Sequence, residues 1–426
     1  MPRTLVITNM YPPEERGGYE LLCQDHVRWL RAQDHEVAVM TSSEGVPPLP
    51  REGRGDCGEH IFRLLPLHWS WTDFAHRRPG PMAAAIEERR LHRAVKQLIR
   101  QFRPEVCLVW GMALVSKSPL ASVHQAGIPM VAVVGESWAL WDIEPDSWLK
   151  IWRQPSWRFA APLASRLVAP ISVDDAMAAL TPVYASASIR NSIEESLPAW
   201  RMRGVVVANG IDLARFDNAR RNDTPLRQPI QLLYAGRVER RKGLHTVLDT
   251  MSQLRQRGLS TELTVVGWRE PEYAHDLVLK AEALGESSHI TWRDAVPRDS
   301  MPSVYAAHDV LVFPTIWAEP FGLVALEAMA GGCVVCATGT GGSGEYLDDG
   351  VNSILSQPED ASALADGIIR LSDEPDLVAH LRAGGYATAR RYSFESYAEA
   401  LADIIRTATS EASSSASLLS EAGERA

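Results

Sequence analysis

The chain has 426 residues, 46% hydrophobic and 23% charged, with a net charge of −10. That length suggests two domains with a third possible, and the composition is that of a soluble globular protein. An acidic balance with no basic stripe argues against a nucleic-acid binder, and five cysteines are too few for a disulfide framework.

Met1, Pro2 and Arg3 run straight into a strand-like segment, and no apolar run approaches the roughly 18 residues of a membrane-spanning helix. A reducing, cytoplasmic setting is therefore expected. Residues 5–10 predict a buried strand, followed by a turn carrying Gly17 and Gly18, a helix to about residue 31 and a second strand over 36–40. This is one βαβ unit. A glycine pair at the carboxyl end of a strand lets backbone approach a ligand closely, although a tight turn accounts for two glycines equally well. Residues 45–80 are irregular, with one strand at 61–65, and a long helix is predicted over 82–102 with Arg and Glu on its outer face. Buried strands at 106–110 and 130–134 continue the alternation to 205–207.

Five of the 13 tryptophans (138, 141, 148, 152 and 157) crowd into residues 135–157. Three uses compete: an aromatic core cluster with Trp148 and Trp152 on one helical face, a platform that stacks on an acceptor sugar, and a membrane contact. Glu136 and Trp138 are the acceptor-side candidates. Asp142 and Glu144 stand two apart, loosely like a metal-chelating pair.

Asn209, Gly210, Ile211 and Asp212 form a strand-to-turn passage, and the polar run 217–228 reads as a linker. A second α/β series follows, with strands from 231, at 263–266, 290–292, 310–313 and 334–337, and helices at 243–256, 271–285, 298–307 and 321–330. A helix near 376–390, a last helix over 394–407 and an unstructured tail over 409–426 complete the chain.

Two groups in this second series carry chemistry. Glu319 and Glu327 stand eight positions apart across a loop-to-helix junction, with Pro320 in the expected first helical turn and Gly331-Gly332 at the stop. The helix start between them exposes unpaired backbone N–H groups, a natural seat for a phosphate. A capping carboxylate plus a surface glutamate is the plain alternative. The second group is Arg237 and Lys242, after the first strand of this series. Lysine occurs only five times among the 43 basic residues, so Lys242 beside arginines is notable. Arg237 can grip phosphate oxygens bidentately, and Lys242 offers a compact charge at the next helix start. Cys333 and Cys336 read as packing residues, since i and i+3 on a strand face opposite ways and no second pair completes a zinc site.

Taken in order, Gly236-Arg237, Lys242-Gly243, Glu319-Pro320-Phe321-Gly322-Leu323, Glu327 and Gly341-Gly342 with Glu345 resemble the retaining glycosyltransferases of the GT-B fold, nearest to family 4. The resemblance runs from the Gly17-Gly18 turn to about residue 397. It implies an α/β chain of two Rossmann-like, doubly wound domains facing across a cleft. The first would span 1–213, rejoined by a crossover helix at about 392–408, and the second, over 214–391, would bind a nucleotide-sugar. By that likeness Arg237 and Lys242 hold the diphosphate, Glu327 the ribose, and Glu319 the donor sugar. Phe321 and the backbone of Gly322, Leu323 and Val324 complete the donor site, and Gly17 and Gly18 close over the phosphates.

The implied reaction is metal-independent transfer with retention, from a UDP-sugar to a hydroxyl on a sugar, lipid-linked or small-molecule acceptor. The nucleotide-sugar is a substrate, and no cofactor, metal or nucleic-acid partner is expected; peripheral membrane contact is allowed. Two departures stand out. Many relatives carry histidine where this chain has Gly135-Glu136, and glycine where it has Asp294. A nucleotide-sugar epimerase and a non-catalytic, membrane-adjacent binding subunit are the alternatives.

Overall fold

A computed structural model describes residues 2–14, 17–42, 51–70, 75–76, 79–140, 146–201, 203–217 and 225–424. The chain divides into two compact units. One comprises Met1–Ala185, Ile189–Val207 and Ala398–Ala426; the other comprises Ser186–Ser188 and Ala208–Tyr397.

The first unit contains, in chain order, β1 (Arg3–Thr8), α1 (Gly18–Ala32), β2 (Glu36–Ser42), β3 (Arg51–Arg54), β4 (His60–Leu65), β5 (Trp69–Ser70), β6 (Ala75–His76) and α2 (Pro81–Phe102). It continues with β7 (Val106–Gly111), α3 (Ser118–Gln125), β8 (Met130–Val134), α4 (Ser147–Arg153), α5 (Ala161–Leu167), α6 (Asp174–Ala179), β9 (Thr181–Tyr184), α7 (Ala187–Ser196) and β10 (Val205–Val206). Eight strands form one sheet in the order β10-β9-β8-β7-β1-β2-β4-β3. Strands β1, β2, β7 and β8 are buried almost end to end, as expected of parallel strands covered on both faces. Only β3 is antiparallel, paired with β4. Its sequence, Arg-Glu-Gly-Arg, has no apolar alternation, so pattern reading left it irregular; charge at such an edge discourages pairing with a further strand.

Helix α2 opens on Gly80 and Pro81 and turns Ala84, Leu91, Val95 and Leu98 inward, at helical spacing. The tryptophans divide by burial. Trp138 is fully buried and meets Trp200 edge-on at 6.3 Å, and Trp148 is buried edge-on to Trp152 at 5.1 Å. Trp148 Nε1 donates to the Pro170 carbonyl at 2.7 Å, which satisfies its one polar atom. These rings are core. Trp141, Asp142 and Glu144 lie outside the described residues, as do residues 218–224 of the expected linker.

The second unit holds β11 (Ile230–Ala235), α8 (Leu244–Gln256), β12 (Thr261–Val266), α9 (Pro271–Leu284), β13 (Ile290–Arg293), α10 (Met301–Ala306), β14 (Val310–Phe313), α11 (Leu323–Gly331), β15 (Val334–Ala337), β16 (Ile354–Leu355), α12 (Ala361–Asp373) and α13 (Pro375–Arg391). Its sheet is parallel throughout, in the order β13-β12-β11-β14-β15-β16. The order reverses between β11 and β14, the topological switch point at which doubly wound sheets bind ligands. Among the described residues no disulfide joins any of the five cysteines, and Cys333 and Cys336 are buried. The last helix, α14 (Phe394–Glu424), runs through the stretch from residue 409 expected to be unstructured. Ala, Ser, Glu and Leu dominate there with no proline or glycine before Gly423, so nothing in the sequence stops a helix once begun.

Candidate active site

The second unit's switch point brings together two loops far apart in sequence. After β11 the chain passes Gly236 and Arg237 into a short 3₁₀ turn, Arg240–Lys242, which ends on Gly243 at φ 73°. After β14 it runs from Pro314 to Gly322, which stands at φ 89° as the residue before α11. A Cβ on Gly243 would lie 2.0 Å from the Pro314 carbonyl oxygen, so glycine is required there by both φ and space. The Ile316 N–H donates to the Arg241 carbonyl at 2.9 Å, locking one loop onto the other.

That stitching sets the side chains. Lys242 Nζ donates to Glu319 Oε2 at 2.5 Å, with the two side chains only 15% and 10% exposed. Trp317 Nε1 donates to the same oxygen at 3.1 Å, and Oε1 takes no hydrogen bond among the described residues. The Arg241 guanidinium lies over the Trp317 ring, 3.8 Å from its centroid. Burial depresses the Lys242 ammonium below the usual lysine range, and the Glu319 carboxylate offsets part of that shift. Arg237 is more open, 38% exposed, with one guanidinium nitrogen 3.6 Å from Glu239 Oε1. Glu239 also takes Arg241 Nε at 2.8 Å.

Helix α11 begins at Leu323, three residues later than the position of Pro320 suggests. Gly322 in the left-handed region makes the turn into the helix, and Pro320 belongs to the preceding loop. No side chain caps the helix, so the leading N–H groups at Leu323 and Val324 carry the positive end of its dipole uncovered. Phe321 is not a surface contact. Its ring is 3% exposed and packs against Tyr346 and Tyr392, with centroids at 5.3 and 5.8 Å. Tyr346 in turn donates to the Gly322 carbonyl at 2.6 Å, so these aromatics hold the loop from behind.

Glu327, about one turn into α11, occupies different surroundings. It accepts from the Tyr305 hydroxyl at 2.8 Å and lines a small hollow with Ile211, Asp212, Arg215, Phe216 and Arg298. The two carboxylates therefore do not act as a pair. Asp294, the other departure from the family pattern, is engaged by Arg269.

In the first unit Gly17 is extended, at φ −169°, and among the described residues a Cβ there would meet the Glu20 carboxylate alone, at 3.5 Å. Gly18 is the first residue of α1. The side chain that organises this end of the sheet is Tyr19, which pattern reading passed over. Its hydroxyl lies between the carbonyls of Trp110 and Val133, near the ends of β7 and β8, with its one proton shared between them, and accepts the Gly135 N–H at 3.3 Å. A Cβ on Gly135 would lie 2.3 Å from the Tyr19 ring, so space at this strand end calls for glycine. Glu136 is partly buried, and Trp138 is closed inside the core, so its ring offers no face to a sugar. Trp317, Arg241, Tyr305 and Tyr19 are the residues that sequence reasoning missed. Each is defined by a contact to a distant segment, and only the Trp317–Glu319 spacing was visible locally.

Residues 216–388 match the family model described as glycosyl transferases group 1. The glycogen synthase of Mycobacterium tuberculosis is 31% identical over 194 residues, 45% of each chain. The chain spans about half the length of the curated relatives it matches. Sucrose-phosphate synthase from Thermosynechococcus elongatus superposes with a TM-score of 0.69 at 17% identity, over 96% of this chain and 99% of that one. Anabaena HepE in complex with UDP-glucose gives 0.64 at 18% identity, over 95% and 99%. The fold is thus GT-B, and residues 216–388 are similar to the glycosyl transferases group 1.

Proposed function

We propose that the protein is a retaining glycosyltransferase that moves a sugar from a UDP-linked donor to a hydroxyl acceptor without a metal ion. One observation carries the reading: a buried Lys242–Glu319 ion pair beside an uncapped helix start at the switch point of the second unit. The likeness to HepE, whose complex holds UDP-glucose, supports the choice of donor. In this reading the second unit binds the nucleotide-sugar and the first serves the acceptor.

Cleaving a sugar–phosphate bond develops negative charge on the diphosphate and oxocarbenium character on the sugar. Lys242, Arg237 and the N–H groups at Leu323 and Val324 place fixed positive charge for the first, so charge neutralisation requires no divalent cation. Glu319 carries the second task. With both donors on Oε2, its Oε1 is left to take a sugar hydroxyl and to present negative charge to the anomeric centre. Glu327 takes the ribose, where a hydroxyl pair would complete the bond it already accepts from Tyr305. Gly17 and Gly18 are assigned to the donor phosphates, and Glu136 to the acceptor side. The acceptor is a sugar, lipid-linked or small-molecule hydroxyl, and the setting is cytoplasmic.

The test is incubation with a panel of radiolabelled nucleotide-sugars and candidate acceptors. Release of free nucleotide with a glycosylated product of unchanged anomeric configuration, undiminished by chelator, is the expected result. An isomerised donor would establish an epimerase instead, and binding without turnover would establish a non-catalytic subunit.

A further inference from the structure

We propose that the outer face of α2, together with the adjoining segment 155–167, is a docking surface for an anionic lipid bilayer. Among the described residues, six of the eleven exposed large hydrophobics belong to this region: Met82 at 79%, Ile86 at 49%, Trp157 at 39%, Phe159 at 83%, Leu163 at 63% and Leu167 at 55%. They are not scattered. Ala85 of α2, Trp152 of α4, Ala164 of α5 and Val168 just after it pack against the buried cluster that holds Trp148 and Leu149, so the elements bearing these side chains surround one small core. A monomer rarely leaves so much apolar surface together without a partner.

The charge on the same face selects the partner. Along α2 the buried positions are Ala84, Glu88, Leu91, Val95 and Leu98, and the opposite stripe continues from Met82 and Ile86 into Arg89, Arg90, Arg93, Lys96 and Arg100, all exposed. None of these five cations forms an ion pair with a carboxylate among the described residues, and Glu88 is turned inward, where Ser118 donates to it at 2.6 Å. Arg153 and Arg166 are also exposed, on α4 and α5. The composition suggests no basic stripe, yet helical spacing gathers one on α2, a local concentration in a chain of net charge −10.

An interfacial helix with apolar side chains at one end, arginines along its face and a tryptophan beside it matches the acyl boundary and headgroup layers of a bilayer. Arginine grips lipid phosphates bidentately while its stem lies along apolar surface. The apolar residues would have no partner on a nucleic-acid backbone. A second copy of this chain would bring the same arginines face to face in a two-fold contact.

The experiment is flotation of the full chain with vesicles of phosphatidylcholine alone and of phosphatidylcholine mixed with phosphatidylglycerol. The chain should float with the mixed vesicles only, less so as salt rises. The pair Arg89→Ala/Arg93→Ala should lower the partition coefficient roughly fivefold for each arginine removed. The pair Phe159→Ser/Leu163→Ser should lower it by roughly tenfold or more at any salt. All four side chains are exposed, so thermal unfolding and nucleotide-sugar hydrolysis should match the parent and report that the variants fold. Equal binding to both vesicle types, binding by the variants at parental strength, or no flotation at all would overturn the proposal. So would a dimer that Phe159→Ser/Leu163→Ser converts to monomer in sedimentation velocity without any vesicle binding.

Discussion

Each unit has a sheet whose strand order reverses once at its centre, between β1 and β7 in the first and between β11 and β14 in the second. The two switch points are furnished in opposite ways. In the second, loops carry Lys242, Glu319 and an uncapped helix start into a partly buried, charged setting. In the first, Tyr19 fills the strand ends beside the Gly17-Gly18 turn and spends its hydroxyl on backbone carbonyls. A switch point supplies a place for a ligand, and the residues that follow the strands decide whether it does chemistry there or only closes over a surface.

If that contrast is right, the largest effects come from the second unit's charges. Glu319→Ala should reduce transfer by roughly a thousandfold, the scale for losing a preorganised electrostatic partner of the transition state, while UDP binding stays within a few-fold. The same change leaves Lys242 buried without its carboxylate and should cost roughly 3 kcal/mol of stability. Single-turnover transfer, calorimetry with UDP and thermal unfolding read the three quantities separately. Unchanged turnover would end the assignment. Arg237→Ala should act on the diphosphate itself, weakening UDP binding by about 2 kcal/mol. Titration calorimetry that finds no loss would remove Arg237 from the phosphate site.

Lys242 gives a pH test with two opposed signs. Burial lowers its pKa, so the ammonium is lost below the usual 10.5, and the alkaline limb of kcat/KM should fall below that value. The fold, by contrast, favours the neutral form. Its cost of holding a charged lysine is present at low pH and is relieved as pH rises through the lowered pKa, so stability gains where activity is lost. Lys242→Arg should shift the limb upward or abolish it, because guanidinium does not titrate in this range.

Trp317→Phe is a smaller change. It keeps a ring under Arg241 and removes only the N–H to Glu319 Oε2, worth about 1.5 kcal/mol at a charged acceptor. A fall in kcat of roughly tenfold with little change in donor KM would show that Trp317 positions Glu319; a change in KM alone would show that it touches the donor.

What was legible in the chain follows from the same contrast. Strand and helix alternation is a local signal, and it carried most of the architecture, including the sheet that presents Arg237, Lys242 and Glu319 from adjacent strand ends. Roles read from a local junction were less secure. Phe321 lies beside the ligand-facing residues in sequence yet points into an aromatic core, because Tyr346 and Tyr392 reach it from segments well downstream. Trp138 was a candidate platform until Trp200, far along the chain, covered it. The α11 start was misplaced because proline at a first helical turn is a preference, whereas the left-handed Gly322 is fixed by the crowding of Phe313 and Tyr346 around it.

The least disruptive change is also the most informative about the first unit. At Gly17 the backbone is extended and, among the described residues, a methyl would make ordinary contact with the Glu20 carboxylate alone, so Gly17→Ala should leave thermal stability within about 0.5 kcal/mol of the parent. Among the described residues nothing asks for glycine there. A glycine with no structural reason is the kind that a ligand requires, because only its absent side chain lets phosphate oxygens reach the backbone. The expected outcome is therefore a split: unfolding unchanged and the donor KM raised several-fold, with the larger Gly17→Val raising it further. If both variants keep the parental KM, the first unit's turn takes no part in holding the donor, and the contrast between the two switch points becomes one between a site and a closed end.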